Sequence, residues 1–123
     1  MKKILVLIIL ALLFGCQPKK NIEFCEGVTV KGVGVECGIK FGTGDLTVLI
    51  KSNDPFDTNR IFIELYEDFK GKMAKLETIN VEVKPDQSRV SSTLSMYRHG
   101  KYIVKAIRGK EVIAQGEIEI VDY

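Results

Sequence analysis

The chain has 123 residues, of which 46% are hydrophobic and 28% charged, and its formal net charge is +2. This length fits one compact domain. Basic and acidic side chains are interspersed, without the basic stripe that nucleic-acid binding needs, so the composition argues against a nucleic-acid partner.

The first fifteen residues have the organisation of an export signal. Two lysines precede an apolar run from Ile4 to Phe14, and the small residue Gly15 follows. The run is too short for a helix that crosses a bilayer, which needs roughly 20 residues. We therefore predict a signal peptide over residues 1–15 that is removed before Cys16. Its removal would leave 16 basic and 16 acidic side chains.

The motif Leu13-Phe14-Gly15-Cys16 resembles the lipoprotein signal of bacteria, in which a peptidase cuts before a diacylated cysteine. Phe14 departs from the commoner small residue. The resemblance implies that Cys16 carries palmitate-type acyl groups, that residues 16–21 form a tether, and that the lipid holds the protein on a membrane of the cell envelope. Gln17, rather than aspartate, after the cysteine favours an outer membrane where one is present, with the domain facing the periplasm or the exterior.

The remaining cysteines, Cys25 and Cys37, form an even pair in a chain predicted to be exported, where such pairs oxidise. The segment between them alternates valine with glycine, which indicates a β-hairpin that turns near Lys31 and Gly32. A hairpin with this turn places the two cysteines opposite each other. We predict a structural disulfide. The alternative, a redox or metal-binding pair, lacks a Cys-x-x-Cys spacing and a nearby histidine.

Alternation with a period of two continues along most of the remaining chain, and turn signals recur about every ten residues. Helical signals are nearly absent. The predicted strands are Asp45 to Lys51, Arg60 to Glu67, Ile79 to Lys84, Val90 to Ser95, Lys101 to Arg108 and Val112 to Val121. Together with the hairpin, they predict an all-β, antiparallel sandwich of seven to nine strands over residues 22–123.

The segment Leu94 to Val104, which contains Tyr97-Arg98-His99-Gly100-Lys101-Tyr102, resembles the penultimate strand of immunoglobulin-like and fibronectin type III-like domains. This resemblance covers about the last 35 residues and implies an immunoglobulin-like sandwich, but no activity. In those families a tyrosine at this corner bonds back to the backbone, which would give Tyr97 or Tyr102 a structural role. The chain has no tryptophan and a local cysteine pair, unlike antibody domains.

The sequence contains few candidate residues for catalysis or metal binding. His99 is the only histidine, and no nucleophile motif accompanies it, so we predict that the protein is not an enzyme and has no cofactor. Met96 and His99, with Met73, offer a soft set for monovalent copper. The loop Asp54 to Asn59 offers oxygen atoms for calcium, although aspartate and asparagine beside proline are more often turn formers.

Two classes of function remain. The first is a membrane-anchored, non-catalytic interaction module of the cell envelope, whose partner is an envelope protein or an extracellular ligand. Loops at the ends of a sandwich would carry the contacts, which makes Phe56, Tyr97 and His99 the candidate binding surface, together with the Phe69 to Met73 turn. For Phe56 the alternative is that its ring packs into the core. The second class is an exported carrier of a small ligand or copper.

Overall fold

The computed structural model describes residues 21–122, so the predicted signal peptide and Cys16 lie outside the described residues. Within residues 21–122 no helix is long and apolar enough to cross a membrane. The described chain forms nine β-strands: β1 (Ile22–Val28), β2 (Gly34–Gly38), β3 (Lys40–Gly42), β4 (Gly44–Lys51), β5 (Arg60–Phe69), β6 (Lys72–Glu82), β7 (Arg89–Met96), β8 (Gly100–Arg108) and β9 (Glu111–Val121).

The strands form two sheets that pack face to face. The four-stranded sheet has the order β2-β1-β4-β7, and the five-stranded sheet has the order β3-β9-β8-β5-β6. All pairs are antiparallel except β3 with β9, which is parallel. The prediction of an all-β sandwich of seven to nine strands is confirmed, and the parallel pair is its one departure from a purely antiparallel arrangement.

The core forms because alternate residues on each strand point inward. Ile61, Ile63 and Leu65 of β5 are buried, whereas the residues between them are only partly covered. On β9, Ile118 and Ile120 are buried, as their alternation with glutamates predicts. The core contains no buried polar or charged residue among those described.

One glycine sets the approach of the two sheets at the β1 side. A Cβ atom on Gly116 of β9 would lie 2.7 Å from Phe24 Cε2 and 2.9 Å from Ile22 Cγ2. Both side chains belong to β1, in the other sheet. Because real Cβ atoms do not approach so closely, glycine is needed here for the sheets to pack.

The predicted hairpin and disulfide are both present. Strands β1 and β2 pair antiparallel with Cys25 opposite Cys37, and the two sulfurs are bonded. The turn runs from Thr29 to Val33, where the Thr29 amide donates a hydrogen bond to the Val33 carbonyl. Cys25 is buried and Cys37 is exposed. The disulfide therefore links edge strand β2 to β1, which is its only ladder partner among the described strands.

Candidate functional site

The two ends of the sandwich differ in what they expose. At one end, Asn21 accepts a hydrogen bond from the amide of Lys51, the last residue of β4, and the Ser52–Asn59 loop follows. We call this the Asn21 end. The opposite end carries the turns 29–33, 70–71 and 97–99, because β1 and β5 finish there and β4 begins there opposite Met96. We call this the corner end.

Phe56 lies at the Asn21 end, and the prediction that it belongs to a binding surface is wrong. Its side chain is 1% exposed and packs in the core. Two hydrogen bonds to the backbone of Phe56 fix the loop around it: the Phe56 amide donates to the carbonyl of Gln87, and the Arg108 guanidinium donates to the carbonyl of Phe56. The aromatic ring thus closes one end of the sandwich, which is the alternative that the sequence left open.

The corner end is built around Tyr102. Its hydroxyl donates a hydrogen bond of 2.6 Å to the carbonyl of Arg98, so the tyrosine bonds back to the backbone as the resemblance implies. Burial raises the pKa of Tyr102, and the nearby Glu67 charge adds to this effect, so the phenol remains a neutral donor. Arg98 in turn donates to Glu67 at 2.6 Å, and this bond raises the pKa of the guanidinium. These contacts join the β7–β8 corner to β5.

Tyr97 is 74% exposed at this corner, and its hydroxyl reaches the Asp45 carboxylate at 3.3 Å. Ser95 donates to the same carboxylate. The tyrosine hydroxyl is thereby held on the protein, while the ring remains open to solvent. His99 is also exposed. Of the three predicted surface residues, Tyr97 and His99 are therefore accessible together at the corner end.

Exposed apolar side chains concentrate in the same region. The hairpin turn between β5 and β6 exposes Phe69, which is 62% accessible, and Met73 follows on β6. The β1–β2 hairpin adds four exposed valines around its turn, Val28, Val30, Val33 and Val35. This hairpin is not among the surfaces that the sequence predicts. The signal was present, because Val30 lies in a turn between Thr29 and Lys31, where a valine has no strand to pack in.

The residues considered for copper are separated by the fold. Met96 is 3% exposed and packs in the core, whereas His99 lies exposed in the corner. Met73 lies on β6, in the other sheet. A thioether that faces the core and an imidazole that faces solvent do not converge on one ion.

Another set with metal-ligating atoms surrounds the disulfide. Oxygen and sulfur atoms of Glu23, Cys25 and Cys37 lie within 4.8 Å of one another. Both sulfurs are already bonded, and Glu23 forms an ion pair with Lys51. Because a disulfide sulfur is not a thiolate, these residues do not form a metal site while the bond is intact.

The loop considered for calcium is a hydrogen-bonded turn. The Asp54 amide bonds to the Ser52 hydroxyl, and the Asp57 amide donates to the carbonyl of Pro85. Asp57 has a positive φ of 54°, a conformation that aspartate tolerates better than most residues. These hydrogen bonds give the aspartates of this loop a turn-forming role.

The outer face of the five-stranded sheet carries one compact charged group. Glu64 accepts hydrogen bonds from Tyr66 at 2.6 Å and from Lys75 at 2.8 Å. The bond from Lys75, and then that from Tyr66, lowers the pKa of Glu64. Lys105 lies over the Tyr66 ring, 4.8 Å from its centre. The members of this group contact one another, and these contacts hold their side chains against the surface of three adjacent strands.

No known protein-family model matches the chain, and no curated protein is significantly similar to it in sequence. The assignment of function therefore depends on the geometry of the two ends.

Proposed function

We propose that the protein is a lipid-tethered, non-catalytic interaction module of the cell envelope that binds an envelope protein or an extracellular ligand through its corner end. The observation that carries this proposal is the distribution of exposed apolar side chains. Tyr97, Phe69 and Val30 are exposed at the corner end, whereas the aromatic ring at the Asn21 end is buried. Exposed aromatic and aliphatic side chains in one region are typical of binding surfaces.

The position of the proposed lipid tether also favours the corner end as the binding surface. A chain held by lipid at Cys16 would enter the domain at Asn21, next to the last residue of β4. Strand β4 has eight residues and runs from there to the corner end, a distance of about 25 Å at roughly 3.3 Å per residue. The corner end is therefore well separated from the point of attachment.

The strand order supports the proposal that the domain is immunoglobulin-like. The order β9-β8-β5-β6 corresponds to strands G, F, C and C′ of variable immunoglobulin domains, and β1-β4-β7 corresponds to A, B and E. The hydrogen bond from Tyr102 to Arg98 lies at the expected corner. Loops at the ends of such sandwiches commonly carry binding.

We predict that Tyr97→Ser and Phe69→Ser each weaken partner binding by tenfold or more, without lowering the melting temperature by more than about 2 °C, because both side chains are exposed. The partner is first identified by cross-linking to the full-length protein in intact envelopes, then purified and titrated. Val112→Ser is the matched control, since Val112 is 48% exposed but lies at the start of β9, at the Asn21 end. Equal binding by all three variants would refute the corner end as the contact.

The membrane attachment has its own test. The mature protein should begin at Cys16 and carry acyl groups, so the intact mass of the envelope-extracted chain should equal that of residues 16–123 plus lipid. In a Cys16→Ala protein that added mass should disappear, whereas Cys37→Ala should retain it. An unlipidated mature chain that begins elsewhere would contradict the attachment without affecting the proposed contact surface.

A further inference from the structure

The two sheets differ in width, and the residues that the structure describes leave one side of the sandwich uncovered. On β5, Ile61 and Ile63 face the core and are fully buried. Their neighbours on β6, Val81 and Ile79, are only half-buried, and Leu76 is 47% exposed. The last strand of the four-stranded sheet, β7, therefore does not extend over β6. A position for one more strand lies beside β7, above the inward face of β6.

The free edge of β7 presents backbone groups to this position. The Ser52 amide donates to the Ser88 carbonyl, and the register of β4 with β7 continues from there without a shift. Hydrogen-bonded pairs recur at every second residue of an antiparallel ladder, so even-numbered residues of β7 bond to β4. The amide and carbonyl groups of Ser91, Thr93 and Ser95 therefore point away from β4, toward the uncovered side.

This edge lacks the features that usually prevent strands from pairing. Edge strand β3 has three residues, and β2 is short and interrupted by Glu36 at a positive φ. Edge strand β6 contains lysines, glutamates and a register shift. By contrast, β7 carries no charged side chain from Val90 to Met96. Natural proteins protect exposed edges with charges, bulges or short length, and β7 has none of these between its ends.

An apolar groove lies beside the half of this edge that is nearer the corner end. It has a volume of about 400 Å³, and its lining includes Leu65, Leu76, Met96 and Tyr97. Glu77 and Arg98 also line it, and the Arg98 guanidinium is paired with Glu67. Asp45 lies opposite Ser95 on β4, so Glu77 and Asp45 give the corner end of the edge its acidic charges. Arg89 makes the other end of β7 basic.

We propose that an extended segment of the partner protein binds here as a fifth strand beside β7. Its inward side chains, at every second position, are apolar and cover Leu76 and Ile79. A basic residue lies near Glu77 and an acidic residue near Arg89. The described ends of this chain do not fill the position. Asn21 leads into β1, which is separated from β7 by β4, and Asp122 follows β9, which is separated from β6 by β8 and β5. This inference rests on the proposed function and names the form of the partner.

The test compares Thr93→Pro with Thr93→Ala in the full-length protein, titrated with the purified partner. Proline removes an amide that points away from β4, so the ladder within the domain is kept, whereas alanine retains the amide. We expect Thr93→Pro to weaken binding at least tenfold and Thr93→Ala to bind within twofold of the parent. If Tyr97→Ser weakens binding and Thr93→Pro does not, the fifth strand is wrong and the proposed function stands. If neither variant weakens binding and Phe69→Ser does not weaken it either, both are wrong.

A photo-cross-linking residue provides a measurement that does not depend on the proline variant being folded. Placed at position 93, it should link to one short segment of the partner with apolar residues at alternate positions. A synthetic peptide of that segment should then bind the parent protein and compete with the partner. The same residue at position 117, which is exposed on β9, should give no such link. Links to a second copy of this chain, or to a helical segment, would overturn the proposal.

Discussion

Replacing Phe56 with alanine should lower the free energy of unfolding by about 3 to 5 kcal/mol, the usual cost of truncating a buried phenylalanine. The ring is 1% exposed, and its backbone is held by hydrogen bonds from Arg108 and to Gln87. Truncation leaves a cavity that this fixed loop cannot fill. Denaturant unfolding of the detergent-solubilised full chain measures the loss.

Phe69→Ala is the matched control, because it makes the same change at a ring that is 62% exposed. Its effect on stability should stay within about 0.5 kcal/mol. Partner binding should show the opposite order, with a large loss for Phe69→Ala and little change for Phe56→Ala under conditions in which both are folded. Equal stability of the two variants would contradict the core position of Phe56.

Loss of the Cys25–Cys37 bond should be the second large effect. The two cysteines are separated by 12 residues, and a bond that closes so short a loop contributes about 3 kcal/mol in the chain-entropy model. Reduction should lower the melting temperature but retain β-type circular dichroism, because β1 also pairs with β4 and Phe24 packs in the core. The freshly exported protein should contain no free thiol, and titration with a thiol reagent would reveal one.

A pair of glycine variants tests the same bond without changing a cysteine. A Cβ atom on Gly34 would lie 2.5 Å from both sulfurs, whereas one on Gly38 would meet no atom within 4 Å. Gly34→Ala should therefore destabilise the protein and slow formation of the bond, while Gly38→Ala should do neither. Equal effects of the two variants would show that the disulfide does not lie against Gly34.

Much of the fold follows from alternation in the sequence, because a strand with one buried face must repeat with a period of two. The predicted strand from Asp45 to Lys51 and the observed β4 differ by one residue, and β7 extends the predicted strand by one residue at each end. The sequence does not predict the first half of β6, because the side chains of residues 72–78 are all exposed and no alternation marks them. Strand β3 has only three residues, too few to show a period.

The candidate site was harder to predict, since exposure depends on contacts between distant segments. Phe56 has the local sequence of an exposed loop, but hydrogen bonds to the turn before β7 and from β8 bring it into the core. Tyr97 and Phe69 are far apart in the chain, and the pairing of β5 with β8 brings their turns to one end. Local patterns identify strands and turns, whereas sheet order decides which turns become neighbours.

Binding of a partner at the corner end is the proposed action of this protein. Amide hydrogen exchange of the full-length protein, measured with and without the purified partner, tests it most directly. If the partner binds the corner end, exchange should slow in residues 69–73, in residues 97–99 and along the free edge of β7, with no change in residues 52–59. Protection confined to residues 52–59, or to the outer face of the five-stranded sheet, would contradict it.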